Sequence, residues 1–277
     1  MAESSNEKPA PFLSEAEAEK YTMSICIYVD GLAFFIRSFE TGDLLHSERL
    51  FFNKKKGHSL ESRLSELIYN HPLLTFPYRD VTITYREDYF ILTPPGIVIE
   101  GKEELWVSST LMLQGENSSP IATYPINEYG VHMVTCWSQE AYSFLKRTYP
   151  YRTIEAAAVS QLKEAISTSR KEPRAQLFVF IENKRINVIA CYKGEILLAN
   201  KFQLFPTLSH QVIADQILFY IGSVLSALSH TPHTVEESII ILHYSEQIPQ
   251  EETKKIGLAL AESIPPLDVE YKWGVSF

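Results

Sequence analysis

The stretch Thr41-Gly42-Asp43-Leu44-Leu45 returns as Lys193-Gly194-Glu195-Ile196-Leu197, 152 positions further on (194 − 42 = 152). Each copy is a glycine turn that opens a strand-like apolar run. At that single spacing the flanks agree without a gap. Ile25 meets Leu177, Val29 meets Ile181 and Ile36 meets Val188. Asp30 meets Glu182, and Gly31 meets Asn183, the latter two both tolerant of positive φ. His58, just ahead of the first expected helix, meets His210. Turn glycines alone could coincide, because turns are chemically restricted. Turn, strand and helix positions coinciding at one offset indicate an internal duplication.

Working outward from the first copy, residues 23–29, 33–39 and 44–52 read as three strands. The close turns between them make an antiparallel meander. A helix is expected over 59–70, with Leu60, Leu64, Leu67 and Ile68 on one stripe and His71-Pro72 as its stop. Further strands are expected over 81–85, 89–92, 131–137 and 153–157. Helices are expected over 103–113, from Ser138 as N-cap to 147, and over 159–167.

Around the second copy, strands are expected over 176–181, 185–191 and 196–205, then a long helix over 209–229. A strand over 238–244, a helix over 250–263 and a strand over 267–271 complete it. The polar run 167–173, ending in Pro173, is the best boundary in the chain. The expected organisation is a flexible tail over 1–22 with at most one helical turn, a first domain over 23–172 and a second over 173–277.

The chain has 277 residues, 45% of them hydrophobic, enough for one large core or two ordinary ones. Its 34 acidic residues outnumber 25 basic ones, for a net charge of −9. An acidic surface repels phosphate backbones, so nucleic acid is not an expected partner, and Lys54-Lys55-Lys56 reads as a solvated loop. Cys26, Cys136 and Cys191 lie far apart, without Cys-x-x-Cys spacing, and read as buried thiols. The first twenty residues lack the apolar core of a signal peptide. The most apolar stretch, 212–228, is interrupted by Asp215, Gln216 and serines, and reads as a buried amphipathic helix and not a span. A cytoplasmic protein is expected.

Two tandem units of three antiparallel strands, a helix, then alternating strands and helices resemble the actin-like ATPase fold. That α/β fold pairs two ribonuclease-H-like domains around a nucleotide cleft. The resemblance runs from about residue 23 onward and rests on element order. It is nearest to an uncharacterised bacterial family with this fold, and more distantly similar to pilus-assembly and secretion members. In such ATPases each first hairpin carries an Asp-x-Gly-type turn. Its glycine lets backbone N–H groups approach the phosphates, and its carboxylate helps hold hydrated Mg²⁺ or the attacking water.

This chain departs from that pattern. The first tip, Val29-Asp30-Gly31-Leu32, has one carboxylate and one glycine, but Ala33, Phe34 and Phe35 stand where a Ser or Thr is usual. The second tip, Ile181-Glu182-Asn183-Lys184-Arg185, has no glycine. The Gly-Gly turn that the family places beneath adenine is replaced by Leu242-His243-Tyr244-Ser245-Glu246-Gln247.

Other chemistry finds little support. Asp30 and Asp80 could belong to a ribonuclease-H carboxylate set, but no helix-borne Glu is in register. The eight histidines show no metal-ligand spacing, and no Gly-x-Ser-x-Gly elbow, Walker loop or Gly-x-Gly-x-x-Gly occurs. Tyr149-Pro150-Tyr151 and the terminal Tyr271–Phe277 carry rings suited to contact surfaces or to ordinary filling, and Phe34 and Phe35 would help fill a degenerate cleft.

The expected function is a non-catalytic scaffold or assembly partner acting through protein–protein contacts, with no cofactor. A homo-oligomer is compatible with it. The alternative is an ATP-binding protein with Mg²⁺ at Asp30, using Gly31, Glu182, Asn183, and Lys184 or Arg185 around the phosphates.

Overall fold

The computed structural model describes residues 13–53, 58–87, 89–94, 121–126, 130–182, 185–205, 210–229, 239–244, 250–263 and 268–273. In chain order the strands are β1 (Tyr21–Tyr28), β2 (Gly31–Ser38), β3 (Leu44–Phe51), β4 (Asp80–Tyr85), β5 (Phe90–Thr93), β6 (Ile121–Ile126), β7 (Val131–Cys136), β8 (Thr153–Ala156), β9 (Gln176–Ile181), β10 (Arg185–Tyr192), β11 (Glu195–Gln203), β12 (Ile239–Tyr244) and β13 (Asp268–Trp273). The helices are α1 (Leu60–Asn70), α2 (Gln139–Thr148), α3 (Ala157–Ser169), α4 (His210–Leu228) and α5 (Gln250–Ser263). A six-residue 3₁₀ helix over Glu15–Lys20, two turns long, precedes β1 and buries Ala18.

The duplication shows in strand pairing. One sheet has the order β3-β2-β1-β4-β8 and another β11-β10-β9-β12-β13, the same path traced twice. In both, the first three strands are antiparallel and the last two join in parallel. Both also carry a bulge at the same place. Ile36 pairs with His46 and Arg37 with Leu44, skipping Leu45; Ala190 pairs with Leu198 and Cys191 with Ile196, skipping Leu197. Such inserted residues coil a strand locally.

The single offset needs one correction. Leu45 and Leu197 are 152 apart, and Gly42 and Gly194, both at positive φ, agree with that spacing. Strands β1 and β2 run at 154 instead: Tyr28 pairs with Gly31 across a two-residue tip, while Glu182 bonds Arg185 across the other (182 − 28 = 154; 185 − 31 = 154). The first copy has six residues between Arg37 and Leu44 where the second has four between Cys191 and Ile196. A two-residue insertion leaves the period-2 alternation of a strand untouched, so a gapless match on hydrophobicity passes straight over it. Structurally, Glu182 corresponds to Tyr28 and not to Asp30, and Arg185 takes the place of Gly31.

Contacts divide the chain into two units, one of Met1–Asp88, Gly115–Ile121 and Cys136–Ala157, the other of Tyr89–Gln114, Ala122–Thr135 and Ala158–Phe277. The division falls earlier than the polar run 167–173. Ser169 in that run is buried; its Oγ accepts from Gly194 N–H at 3.1 Å and donates to Ile166 C=O at 3.0 Å.

In the first unit, α1 is capped by Ser59, whose side chain accepts from Ser62 N–H, and buries Leu64 and Ile68. Helix α2 is capped by Ser138 as expected and buries Ala141, Phe144 and Leu145. The two helices meet where Tyr69 stands edge-on to Phe144, ring centroids 5.8 Å apart. In the second unit, α4 and α5 contribute Ala214, Ile217, Ile221, Ile256 and Leu260 to a core with Val179, Val188 and Leu242. Helix α3 is tied on by a buried bond from Asn187 Nδ2 to Gln161 Oε1, 2.6 Å. Its Glu164 lies 3.8 Å from His243, whose ring stacks on Phe180 at 4.4 Å.

Strand β6 was not expected from sequence because Pro125 interrupts it. It borders the three-stranded sheet β5-β7-β6, and edge strands are where a proline, lacking N–H, is tolerated. The helix expected over 103–113 lies outside the described residues.

Burial also sets the alkaline limit of the fold. It pushes the Cys191 thiol up to about 12, with a smaller opposing hydrogen bond from Ser169. Burial likewise raises the Tyr78 and Tyr149 phenols well above their ordinary value; Tyr149 Oη donates to Leu74 C=O at 2.8 Å. In the unfolded chain these groups ionise at about pH 8.5–10, while the folded state keeps their protons. The folded state then binds more protons, so stability falls as pH rises. The melting temperature is expected to hold steady from about pH 7 to 8.5 and to decline progressively above about pH 9. Melting unchanged to about pH 11 would contradict the burial of all three groups.

Candidate functional site

The first hairpin tip is built where β1 and β4 end side by side, Ile27 pairing with Tyr85. Asp30 sits on the two-residue turn with its carboxylate more than half exposed. Arg49, reaching across from β3, donates through Nη2 to both carboxylate oxygens, at 3.2 and 3.3 Å. The Arg49 guanidinium lies 5.0 Å from the Tyr28 ring centroid and 4.9 Å from that of Phe51. A second guanidinium, from Arg86 just past β4, lies 5.5 Å from the same Tyr28 ring. Two cations against one phenol ring gain from its quadrupole. Arg86 and the fully buried Glu87 beside it each have further interaction partners.

Gly31 next to this cluster is explained by packing. It does not adopt positive φ. A Cβ there would overlap the Leu50 carbonyl oxygen and come within 2.9 Å of Phe51 Cα. The backbone of β3 occupies the space a side chain would need.

At the second tip Glu182 is buried, with its N–H donating to Arg185 C=O at 2.8 Å. Arg185 Nε donates to Gln203 Oε1 at the end of β11, 3.2 Å away. Asn183 and Lys184 lie outside the described residues. So the structure brings Asp30 and Gly31 together at one tip and Glu182 with Arg185 at another.

Phe34 and Phe35 do not act together. Successive residues of a strand face opposite sides of its sheet. Phe34 meets His46 and His71 at 5.6 and 5.1 Å, on the side facing α1. Phe35 instead joins Cys26, Tyr28 and Ala33. Tyr149 is buried and Tyr151 fully exposed at φ 63°, so only the second is a free ring. The side chains expected to matter over 271–277 lie outside what is described.

Sequence reading missed Arg49, Arg86 and Glu87. A usable signal was present for the last two: an ionisable pair directly after an apolar strand, at the carboxyl ends where α/β sheets place their ligands. Among the described residues no group of three His, Cys, Asp or Glu is arranged to hold a metal ion. A cleft of ≈ 540 Å³ lies within the second unit between β5 and β11, lined also by Gly130 and Val131, and no described residue of either tip lines it.

The model of a family described as protein of unknown function (DUF3822) matches residues 10–247. The chain belongs to the DUF3822 family. This DUF3822 protein is similar in structure to a Bacteroides thetaiotaomicron protein with actin-like ATPase fold and unknown function. The TM-score is 0.72 at 17% sequence identity, over 94% of each chain. It is also similar to a chain of the PilM-PilN type IV pilus biogenesis complex, at TM-score 0.54 and 12% identity, over 91% of this chain and 88% of that one. No curated protein sequence matches it. The DUF3822 chain thus has the actin-like ATPase fold, with two ribonuclease-H-like sheets in tandem.

Proposed function

We propose that this DUF3822 protein is a non-catalytic assembly partner working through protein–protein contacts in the cytoplasm, its repeats 23–172 and 173–277 serving as a scaffold. The observation that carries the reading is Arg49. The carboxylate that would hold Mg²⁺ already faces a guanidinium that also contacts the Tyr28 and Phe51 rings. An incoming Mg²⁺ would have to displace that cation from Asp30. Arg185 standing in the place of Gly31 supports the same reading, because a side chain replaces the bare backbone that phosphate needs. The buried free thiols Cys26 and Cys191 suit a reducing compartment. The similar fold of a chain in a pilus biogenesis complex supports the assembly reading.

Thermal unfolding with and without millimolar Mg²⁺-ATP or Mg²⁺-ADP tests this. A ligand at 100 times its Kd adds about 2.7 kcal/mol, a shift of several degrees. No shift is expected. Asp30→Ala is expected to cost about 1 kcal/mol or less, as for an exposed ion pair. A shift that disappears in Asp30→Ala would replace the proposal with the ATP-binding alternative.

A further inference from the structure

Helix α4 has an exposed outward face. The stretch Gln211–Leu228 is long and apolar enough to cross a membrane by length and composition, yet only 28% of it is buried. Its inner stripe, Ala214, Ile217, Ile221, Val224 and Leu228, fills the second core. At the same helical spacing an outer stripe runs through Val212, Asp215, Phe219, Gly222 and Ser226, all exposed. The sequence reading of a buried helix therefore holds for one face only.

Phe219 is 69% exposed and Val212 44%. Phe205, 71% exposed, is fixed beside them: its N–H donates to Gln216 Oε1 at 2.6 Å, and Gln216 Nε2 donates back to its C=O at 3.4 Å. Single exposed apolar residues are ordinary, but three large ones held in one patch mark a contact surface.

Gly222 adds a second observation. A glycine inside a helix is destabilising relative to alanine, and nothing lies within 4 Å of where its Cβ would be. No packing among the described residues requires it. Close approach of another backbone would.

Charge selects the occupant. Helix α4 has no Lys or Arg and one acidic residue, Asp215. An anionic membrane surface attracts helices with basic polar faces, and a strongly basic protein needs an acidic surface opposite. A second copy of this chain, itself at −9, can approach only where charge is scarce. Shape agrees: Gly222 and Ser226, one and two turns from Phe219, carry little or no side chain, so a two-fold axis can set each ring over the other copy's small residues.

We propose that two copies associate through antiparallel contact of their α4 outer faces, Phe219 of each seated on Gly222 and Ser226 of the other. The inference rests on the assembly reading and names a partner for it. A 19-residue helix spans about 28 Å, which makes a small interface and a weak, concentration-dependent dimer.

Sedimentation equilibrium of the full chain from about 1 to 200 μM tests it. Dimer is expected to grow with concentration, and Phe219→Glu to raise the dissociation constant at least about tenfold with the melting temperature unchanged. Gly222→Ala is expected to raise the melting temperature while weakening the dimer, opposite signs that a merely structural role would not give. Ser223→Cys, on the same face, is expected to form a covalent dimer on oxidation, whereas Glu262→Cys on α5 is not. A monomer throughout the range, or a dimer indifferent to Phe219→Glu, overturns the proposal. So does binding to anionic vesicles that Phe219→Glu abolishes. A nucleotide-induced shift would count against the assembly reading alone, and a sedimentation failure against α4 alone.

Discussion

Replacing Gly31 with alanine is expected to lower stability by about 3 kcal/mol, equivalent to a fall in melting temperature of about 10 °C. The added carbon has nowhere to go. It meets the Leu50 carbonyl and the Phe51 Cα, which are backbone atoms of the paired strand and cannot rotate aside as a side chain would. Relief requires β2 and β3 to part at Gly31–Phe51, the pair that anchors the hairpin tip. Gly42→Ala offers the control: its φ is +75° and nothing lies within 4 Å, so only backbone strain of about 1 kcal/mol is expected. If Gly31→Ala melted within about 2 °C of the parent, the close approach of β3 would be disproved. Glycine at this tip is thus demanded by the strand beside it, without any phosphate.

Phe34→Ala is expected to cost about 4 kcal/mol. Phe34 is fully buried at the centre of β2 and packs on both His46 and His71. Those two imidazoles converge on one carboxylate oxygen, Glu48 Oε2, at 3.3 and 3.1 Å. Removing the ring leaves a cavity and loosens the contact that joins β3 to the end of α1. Chemical denaturation would show the loss as a lower midpoint at constant slope. A cost below about 1 kcal/mol would mean that the surrounding groups collapse freely into the space.

Much of the fold was legible because its signals are local. The Ser59 and Ser138 caps, the stop at His71-Pro72 and the positive-φ glycines Gly42 and Gly194 each act within a few residues. The span 250–263 for α5 follows from the same kind of pattern. Proline hid β6, because a strand interior excludes it while a sheet edge does not. The site was less legible. Asp30 was found, but its partner Arg49 lies 19 positions away and meets it only after β3 folds back along β2. Arg86 and Glu87 fall between the expected strands 81–85 and 89–92, and their burial is a property of the fold that no local pattern states. Phe34 and Phe35 were grouped as neighbours, though the pleat sends them to opposite faces.

The sequence by itself determined most of the order of elements, the duplication and the turns, because hydrophobic period and turn chemistry are properties of short segments. Only the tertiary structure decided how the copies superpose at their tips and what each tip contains. A two-residue insertion preserves the alternation that sequence comparison sees, yet it moves Arg185 into the place of Gly31. Charge pairing across strands and the exposure of one helix face likewise depend on distances between segments, which no local pattern encodes.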